Sequence, residues 1–272
     1  MQRFFLFLVL WVFGASLALA DASVGIAHLM EVLRVNQTIQ IMRLEGLKFG
    51  EELGQDMLPG GGGAPWAAEV SALYDTDKMV LVVERELSAS LAEVELEPIL
   101  AFYESPLGQR ILTGEIKARE DFLNLATEDA ARADFAKAQI ETDPRWQQIE
   151  SYIVANDLIE YNVIGAMNSS FMFYRGLTHG GLLEMTESDM LAEAWATEEQ
   201  TRQDTREWMF AYLGAAYADL SVDELGAYTS FAKATAGQEL NRALFAGFDR
   251  MYAELSLALG VAIAVSGSGE DL

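Results

Sequence analysis

The sixteen residues 96–111 recur at 225–240, at a constant offset of 129 positions. A phenylalanine, a glycine and a glutamine keep the same register in both copies: Phe102, Gly108 and Gln109, and Phe231, Gly237 and Gln238. A segment that recurs with helical spacing predicts a duplicated helical unit. One such unit alone cannot bury its apolar face, so we expect the two copies to pack against each other. We therefore expect an all-α fold, a helical bundle of two pseudo-repeats with several helices each.

Apolar residues recur at helical spacing through most of the chain, and no segment shows the alternation of a strand. The strongest internal boundary is Asp143-Pro144, because Asp caps helices and Pro is favoured at the first helical position. These signals divide the chain into a leader at 1–20, a first repeat at 21–142, a second repeat at 143–262 and a disordered tail at 263–272.

Helix starts are marked by capping sequences. Ser105-Pro106 predicts the start of a helix, and 221–224 (Ser-Val-Asp-Glu) fits the capping box of Ser or Thr followed three residues later by Glu. The segment 90–93 (Ser-Leu-Ala-Glu) fits the same pattern, so we expect a helix to begin there as well. The glycines at 176–181 predict a loop.

The N-terminal segment has the three regions of a secretory signal peptide. Arg3 supplies a positive charge, 4–13 is almost entirely apolar, and 18–20 (Ala-Leu-Ala) is a small-residue cleavage site. The apolar run is shorter than the ~20 residues of a membrane span, so we expect cleavage rather than a retained anchor. The sequence thus predicts a periplasmic or secreted protein with no stable membrane insertion after cleavage.

Charge and cysteine content exclude several classes of function. The chain carries 42 Asp and Glu against 18 Lys and Arg, a net charge of −24, which disfavours binding to nucleic acid. It has no cysteine, so disulfides, thiolate metal sites and a cysteine nucleophile are excluded. His28 and His179 are the two histidines, and neither lies in a zinc motif, so we predict no metal and no cofactor.

The repeated segment also carries a resemblance to a known family. The run 101–109 (Ala-Phe-Tyr-Glu-Ser-Pro-Leu-Gly-Gln) resembles the Phe-Tyr-x-Ser-Pro-x-Gly-Gln signature of the bacterial domain-of-unknown-function 2059 family. The second copy resembles a diverged form that lacks the Ser-Pro pair. The resemblance implies an exported, all-helical bacterial protein, and it implies no activity.

Two regions are candidates for binding. At the repeat junction, the glycines predict close approach of a second backbone, and the glutamines could hydrogen-bond across the junction; this corner is either a structural elbow or a binding site. The segment 167–174 is rich in Met and aromatic residues, which line either an adaptable groove or the core. The candidate ligand-binding residues are Phe102, Gly108, Gln109, Phe171, Phe173, Phe231, Gly237 and Gln238.

Three functions stay open on this sequence, and we assign no catalytic residue. The favoured one is a non-enzymatic binding module for a protein, a peptide or an apolar ligand, which predicts an exposed apolar patch near 171–174 or at the junction. The alternatives are a carboxylate-dependent hydrolase acting on envelope material, which predicts a cleft with a desolvated acid, and a structural envelope component.

Overall fold

The computed structural model describes residues 24–268, and in this part of the chain it contains α-helices and one 3-10 helix but no β-strand, which confirms the all-α prediction. The predicted leader lies outside the described residues. The helices are 24–32 (α1), Val35–Met57 (α2), Gly63–Leu73 (α3), Thr76–Ser90 (α4), Glu97–Tyr103 (α5), Pro106–Phe122 (α6), Leu125–Phe135 (α7), Pro144–Ala155 (α8), Leu158–His179 (α9), Glu187–Trp195 (α10), Glu198–Ala216 (α11), Val222–Lys233 (α12) and Thr235–Ser268 (α13), and the 3-10 helix is Pro59–Gly62.

Several helices start where the capping sequences predict. The Ser105 hydroxyl accepts a hydrogen bond from the Gly108 amide, with Pro106 in the first turn of α6. Ser221 and Glu224 form a reciprocal capping box at the start of α12. Each such cap satisfies amides that have no partner within the helix, and each stabilises the helix by about 1 kcal/mol.

Two predicted boundaries are wrong because core packing extends the helices. Ser90 ends α4 instead of starting a helix, since Leu87 and Leu91 are both buried one turn apart on the same face. Likewise α9 continues through Gly176 to His179, because Gly176 allows contact with the α13 backbone. A Cβ added at Gly176 would lie 2.3 Å from the carbonyl oxygen of Leu257.

The central element of the fold is α13, a helix of 34 residues. It packs along α9 and α4, while α11 packs against α6, α7 and α9, and α12 packs against α8. Ile263 and Ala264, near the C-terminal end of α13, are fully buried. The disordered tail predicted for 263–272 is therefore wrong for residues 263–268, and 269–272 lie outside the described residues.

The two halves of the chain share a backbone feature where their long helices begin. Arg34 precedes α2 with φ 55° and ψ 36°, and Asp157 precedes α9 with φ 50° and ψ 35°. Among the residues from 24 to 268, these are the two non-glycine residues with positive φ. Both residues adopt the left-handed conformation, which is uncommon for residues other than glycine, so each long helix begins after the same kind of turn.

No helix within residues 24–268 combines the length and the apolar character needed to cross a membrane.

Candidate functional site

The repeat junction brings six of the eight predicted site residues together. The rings of Phe102 and Phe231 stack with centroids 4.0 Å apart and planes 6° from parallel. The aromatic contact joins the end of α5 to the end of α12, so the two repeated segments meet each other directly in the fold.

The repeated glycines make room for backbone. A Cβ at Gly108 would lie 2.3 Å from the carbonyl oxygen of Phe102, and one at Gly237 would lie 2.2 Å from that of Phe231. No side chain fits at such distances, so each glycine lets the following helix turn back tightly on the preceding one. Both glycines therefore have a structural role.

The repeated glutamines satisfy carbonyls at the same two corners. Gln109 Nε2 donates to the carbonyl of Tyr103 at 2.8 Å, and Gln238 Nε2 donates to the carbonyl of Ala232 at 2.7 Å. Gln238 Nε2 also donates to the carbonyl of Ala155 at 2.8 Å. The predicted hydrogen bonds are thus present, and they tie each glutamine to the end of the preceding helix.

The other two predicted residues, Phe171 and Phe173, lie on α9 away from the junction. Both are partly buried, and Phe173 packs against the core together with Tyr174. Neither belongs to the lining of the two central cavities described below. Their role in ligand binding stays a prediction.

A carboxyl group that the sequence reasoning missed lies at the centre of the molecule. Glu115 of α6 accepts hydrogen bonds from the hydroxyls of Tyr217, at 2.7 Å, and Tyr228, at 3.3 Å. Tyr152 in turn donates to the Tyr228 hydroxyl at 2.7 Å. The Tyr103 hydroxyl lies 3.4 Å from that of Tyr228 and extends the same network.

Burial raises the pKa of Glu115 to about 7, although the hydrogen bonds from Tyr217 and Tyr228 oppose the shift. Loss of hydration disfavours the ionised carboxylate more strongly than two hydroxyl donors favour it. Burial and the nearby Glu115 raise the pKa of Tyr152, Tyr217 and Tyr228 well above their usual range, so these hydroxyls stay protonated. Glu115 is the group of this network that titrates near neutral pH.

Glu115 lies between two adjoining cavities, one of about 560 Å³ and one of about 200 Å³. Among the described residues, six line both cavities: Thr38, Glu115, Tyr152, Asn241, Leu244 and Phe248. The smaller cavity also reaches Phe231 and Gly237 of the repeat junction. The larger one, hereafter the central cavity, extends between α6, α9, α11 and α13.

A second carboxyl group, Asp249 of α13, lines the central cavity. Burial raises its pKa to about 6. Within residues 24–268 it has no hydrogen-bond or ion-pair partner. Gly165 of α9 leaves space for it, since a Cβ at that position would lie 2.6 Å from Oδ1 of Asp249. The cavity therefore contains a carboxyl group that the protein itself does not pair.

One wall of the central cavity separates it from a groove on the outer surface. Arg119 donates two hydrogen bonds to the Glu45 carboxylate, at 2.9 and 2.8 Å. Arg119 and Trp208 line both the central cavity and the outer groove of about 380 Å³, where Phe49 is exposed. The charge of Arg119 is thus already neutralised by Glu45, and this pair and Trp208 stand between the cavity and the outer groove.

A sequence signal for Glu115 exists. It lies four residues after Ile111 and three before Ala118, both buried on the inner face of α6. A charged residue on an apolar stripe is exceptional, because burying an unpaired charge is costly. The tyrosines that surround it give no such signal, because they come from α5, α8, α12 and the end of α11.

Comparison with protein families gives one match. Residues 77–133 match the family model described as "Uncharacterized protein conserved in bacteria (DUF2059)". This confirms the predicted resemblance for a segment that covers α4 to α7 and includes Gly108, Gln109 and Glu115. The match does not extend to the second copy, so the two-copy hypothesis is not confirmed. No curated protein and no solved structure gives a match.

Proposed function

We propose that this is an exported bacterial protein that binds a small, partly apolar molecule in the central cavity. The observation that supports this most directly is the cavity itself, about 560 Å³ in volume. Small-molecule sites typically have volumes of ~300–1,000 Å³, with mainly apolar and aromatic walls and a few polar groups that orient the ligand. The lining follows this composition, with Met42, Trp208 and Phe245 among its apolar members and Asn162 and Ser169 among its polar ones.

The proposed export is supported by the leader pattern, with a positive N-terminus, an apolar run and the small-residue site 18–20. The strongly negative net charge suits a protein that must stay soluble after export. Fractionation of cells that express the full chain, with mass spectrometry of its N-terminus, tests this. Cleavage after Ala20 supports export, and an intact Met1 in the cytoplasm contradicts it.

The central cavity, which opens to solvent, fits the geometry better than the surface groove that we expected near 171–174. The aromatic side chains of that segment are only partly exposed, and Phe173 and Tyr174 pack against the core. The repeat junction is likewise filled by the stacked rings of Phe102 and Phe231. We therefore place the proposed binding site in the central cavity.

Binding of the environment-sensitive fluorophore N-phenyl-1-naphthylamine tests the proposal. We expect saturable fluorescence enhancement for the wild-type protein and its loss in Ala166→Phe, which fills the cavity from α9. Ile164→Phe adds a similar ring on the exposed face of the same helix and serves as the matched control. Ser169→Leu, with a smaller added volume, covers the case in which Ala166→Phe does not fold. Equal binding by all variants contradicts the proposal.

A second candidate function, carboxylate-dependent hydrolysis, rests on one observation. Glu115 and Asp249 line the same cavity, and burial raises the pKa of both. A protonated carboxylic acid and a nearby carboxylate can act as general acid and base. Assays on envelope glycans with wild type and Glu115→Gln distinguish the two functions. Turnover that is lost in the variant supports an enzyme, whereas binding without turnover supports a binding module.

A further inference from the structure

We propose that the molecule bound in the central cavity is an organic cation, an amine whose charged nitrogen is held by carboxylates of the lining while its apolar body packs against the aromatic walls. This inference rests on the proposed function and specifies the chemistry of its ligand. Two observations support it: the charged side chains that line the cavity, and the lack of a hydrogen-bond or ion-pair partner for Asp249 among the described residues.

The charge of the lining is negative. Among the described residues that line it, the charged side chains are Glu115, Asp249 and Arg119. Arg119 contributes no free positive charge, because both of its hydrogen bonds into this wall go to the carboxylate of Glu45. An anionic ligand would therefore meet two carboxyl groups and no available cation, and its entry would be repelled.

Asp249 is the carboxyl group of the cavity that lacks a hydrogen-bond or ion-pair partner in the described residues. It is half-buried, so it loses part of its hydration without a replacement from the protein. Gly165 makes room for the carboxylate itself, since a Cβ at that position would lie 2.6 Å from Oδ1 of Asp249. An ammonium group that donates hydrogen bonds to Asp249 would replace the missing partner, and such charge-assisted bonds are stronger than neutral ones.

Aromatic side chains form much of the cavity wall. Trp208, Tyr212, Phe245, Phe248 and Tyr252 all border the cavity. Trp208 and Tyr212 stack on each other with centroids 4.9 Å apart, so they form one continuous aromatic wall. Aromatic rings attract cations through their quadrupole and also bury the apolar part of a ligand. An amine with an aryl or alkyl chain uses both properties.

Binding of a cation should strengthen as the carboxyl groups ionise. The groups around Glu115 are Arg119, which is paired with Glu45, and five tyrosine hydroxyls. None of these groups changes its charge near neutral pH. The tyrosines are Tyr103, Tyr152, Tyr212, Tyr217 and Tyr228. No charged side chain contributes to the raised pKa of Asp249, which burial alone causes. Affinity for an amine should therefore rise from pH ~5 to ~8, where both carboxyls lose their protons.

Three probes of nearly equal shape test the inference by calorimetry on the chain from Asp21 onward: 4-phenylbutylamine, 4-phenylbutanol and 4-phenylbutanoate. At pH ~8 we expect the amine to bind about tenfold or more tighter than the alcohol, and the carboxylate to bind weakest. Asp249→Asn should remove most of this preference. Asp129→Asn, on the exposed face of α7, is the matched control and should leave it unchanged.

The outcomes separate the inference from the proposed function. If the alcohol binds as well as the amine, the cation inference is wrong while the cavity remains a binding site. If N-phenyl-1-naphthylamine and all three probes fail to bind, both are wrong. If the amine preference survives in both Asp249→Asn and Glu115→Gln, the carboxyl groups of the cavity are not its cause.

Discussion

Phe102 and Phe231, which hold the same register in two similar segments of the chain, stack on each other with their centroids 4.0 Å apart. The segments therefore meet across the fold, and the glycine and the glutamine that follow each phenylalanine make matching contacts in both halves. The junction that they form borders the smaller cavity beside Glu115 through Phe231 and Gly237.

The first prediction concerns the stacked pair itself. In a double-mutant cycle with Phe102→Leu and Phe231→Leu, we expect a coupling free energy of about 0.5–1.5 kcal/mol, because offset or stacked rings interact beyond the area that they bury. Urea unfolding of the four proteins measures it. Phe102→Leu combined with Phe135→Leu, whose ring stacks on Phe210 instead, should be additive. A coupling of zero for the first pair would show that the stacking contributes no specific energy.

The second prediction concerns the junction glycines. Gly237→Ala should lower the free energy of unfolding by about 1–3 kcal/mol, because the added Cβ would lie 2.2 Å from the carbonyl oxygen of Phe231 and force the backbone to shift. Gly226→Ala in α12 is the matched control. Its Cβ would meet nothing closer than 3.7 Å, so alanine should stabilise the helix by up to about 1 kcal/mol. Stabilisation by both substitutions, measured by urea unfolding, would refute the close approach.

The third prediction concerns stability and pH. Burial raises the pKa of Glu115 from 4.5 to about 7 in the folded protein, so folding favours the protonated acid. The resulting stability is fully present below pH 4.5 and is lost as the pH rises through about 7. The raised pKa of Asp249, about 6, acts in the same direction.

Glu115→Gln should therefore flatten the decline in the free energy of unfolding over this window, and Glu115→Gln with Asp249→Asn should flatten it further. Denaturant unfolding at a series of pH values measures both. Exposed Asp129→Asn should keep the wild-type profile. An unchanged decline in the double variant would show that other groups cause it.

The fourth prediction concerns the tyrosine network. The hydroxyl of Tyr217 stabilises the ionised form of Glu115 by a hydrogen bond of 2.7 Å, so Tyr217→Phe should raise the pKa of Glu115 further. Tyr228→Phe should have a smaller effect, since its hydroxyl lies 3.3 Å away. NMR titration of the glutamate side-chain carboxyl carbons measures both. Tyr174→Phe on α9 controls for general effects of losing a hydroxyl, and an equal shift in all three variants would contradict the assignment.

The sequence by itself determined the helical class, several helix starts and the residues of the repeat junction. Ser105 and Ser221 cap their helices through hydrogen bonds to residues three positions later, and each junction glycine and glutamine contacts a carbonyl six residues earlier. Such local interactions depend on neighbouring residues alone, so a local pattern predicts them. Long-range packing overrode the local pattern at Ser90 and at Gly176, where burial against other helices extends α4 and α9.

Only the tertiary structure decided where the candidate site lies. Glu115 receives Tyr217 from the end of α11 and Tyr228 from α12, and Asp249 reaches the same cavity from α13. The position of Glu115 on the apolar face of α6 is visible in the sequence, but the groups that surround it come from helices far away in the chain. The raised pKa of Glu115 arises from desolvation, which depends on every helix packed around it and is therefore a property of the assembled fold.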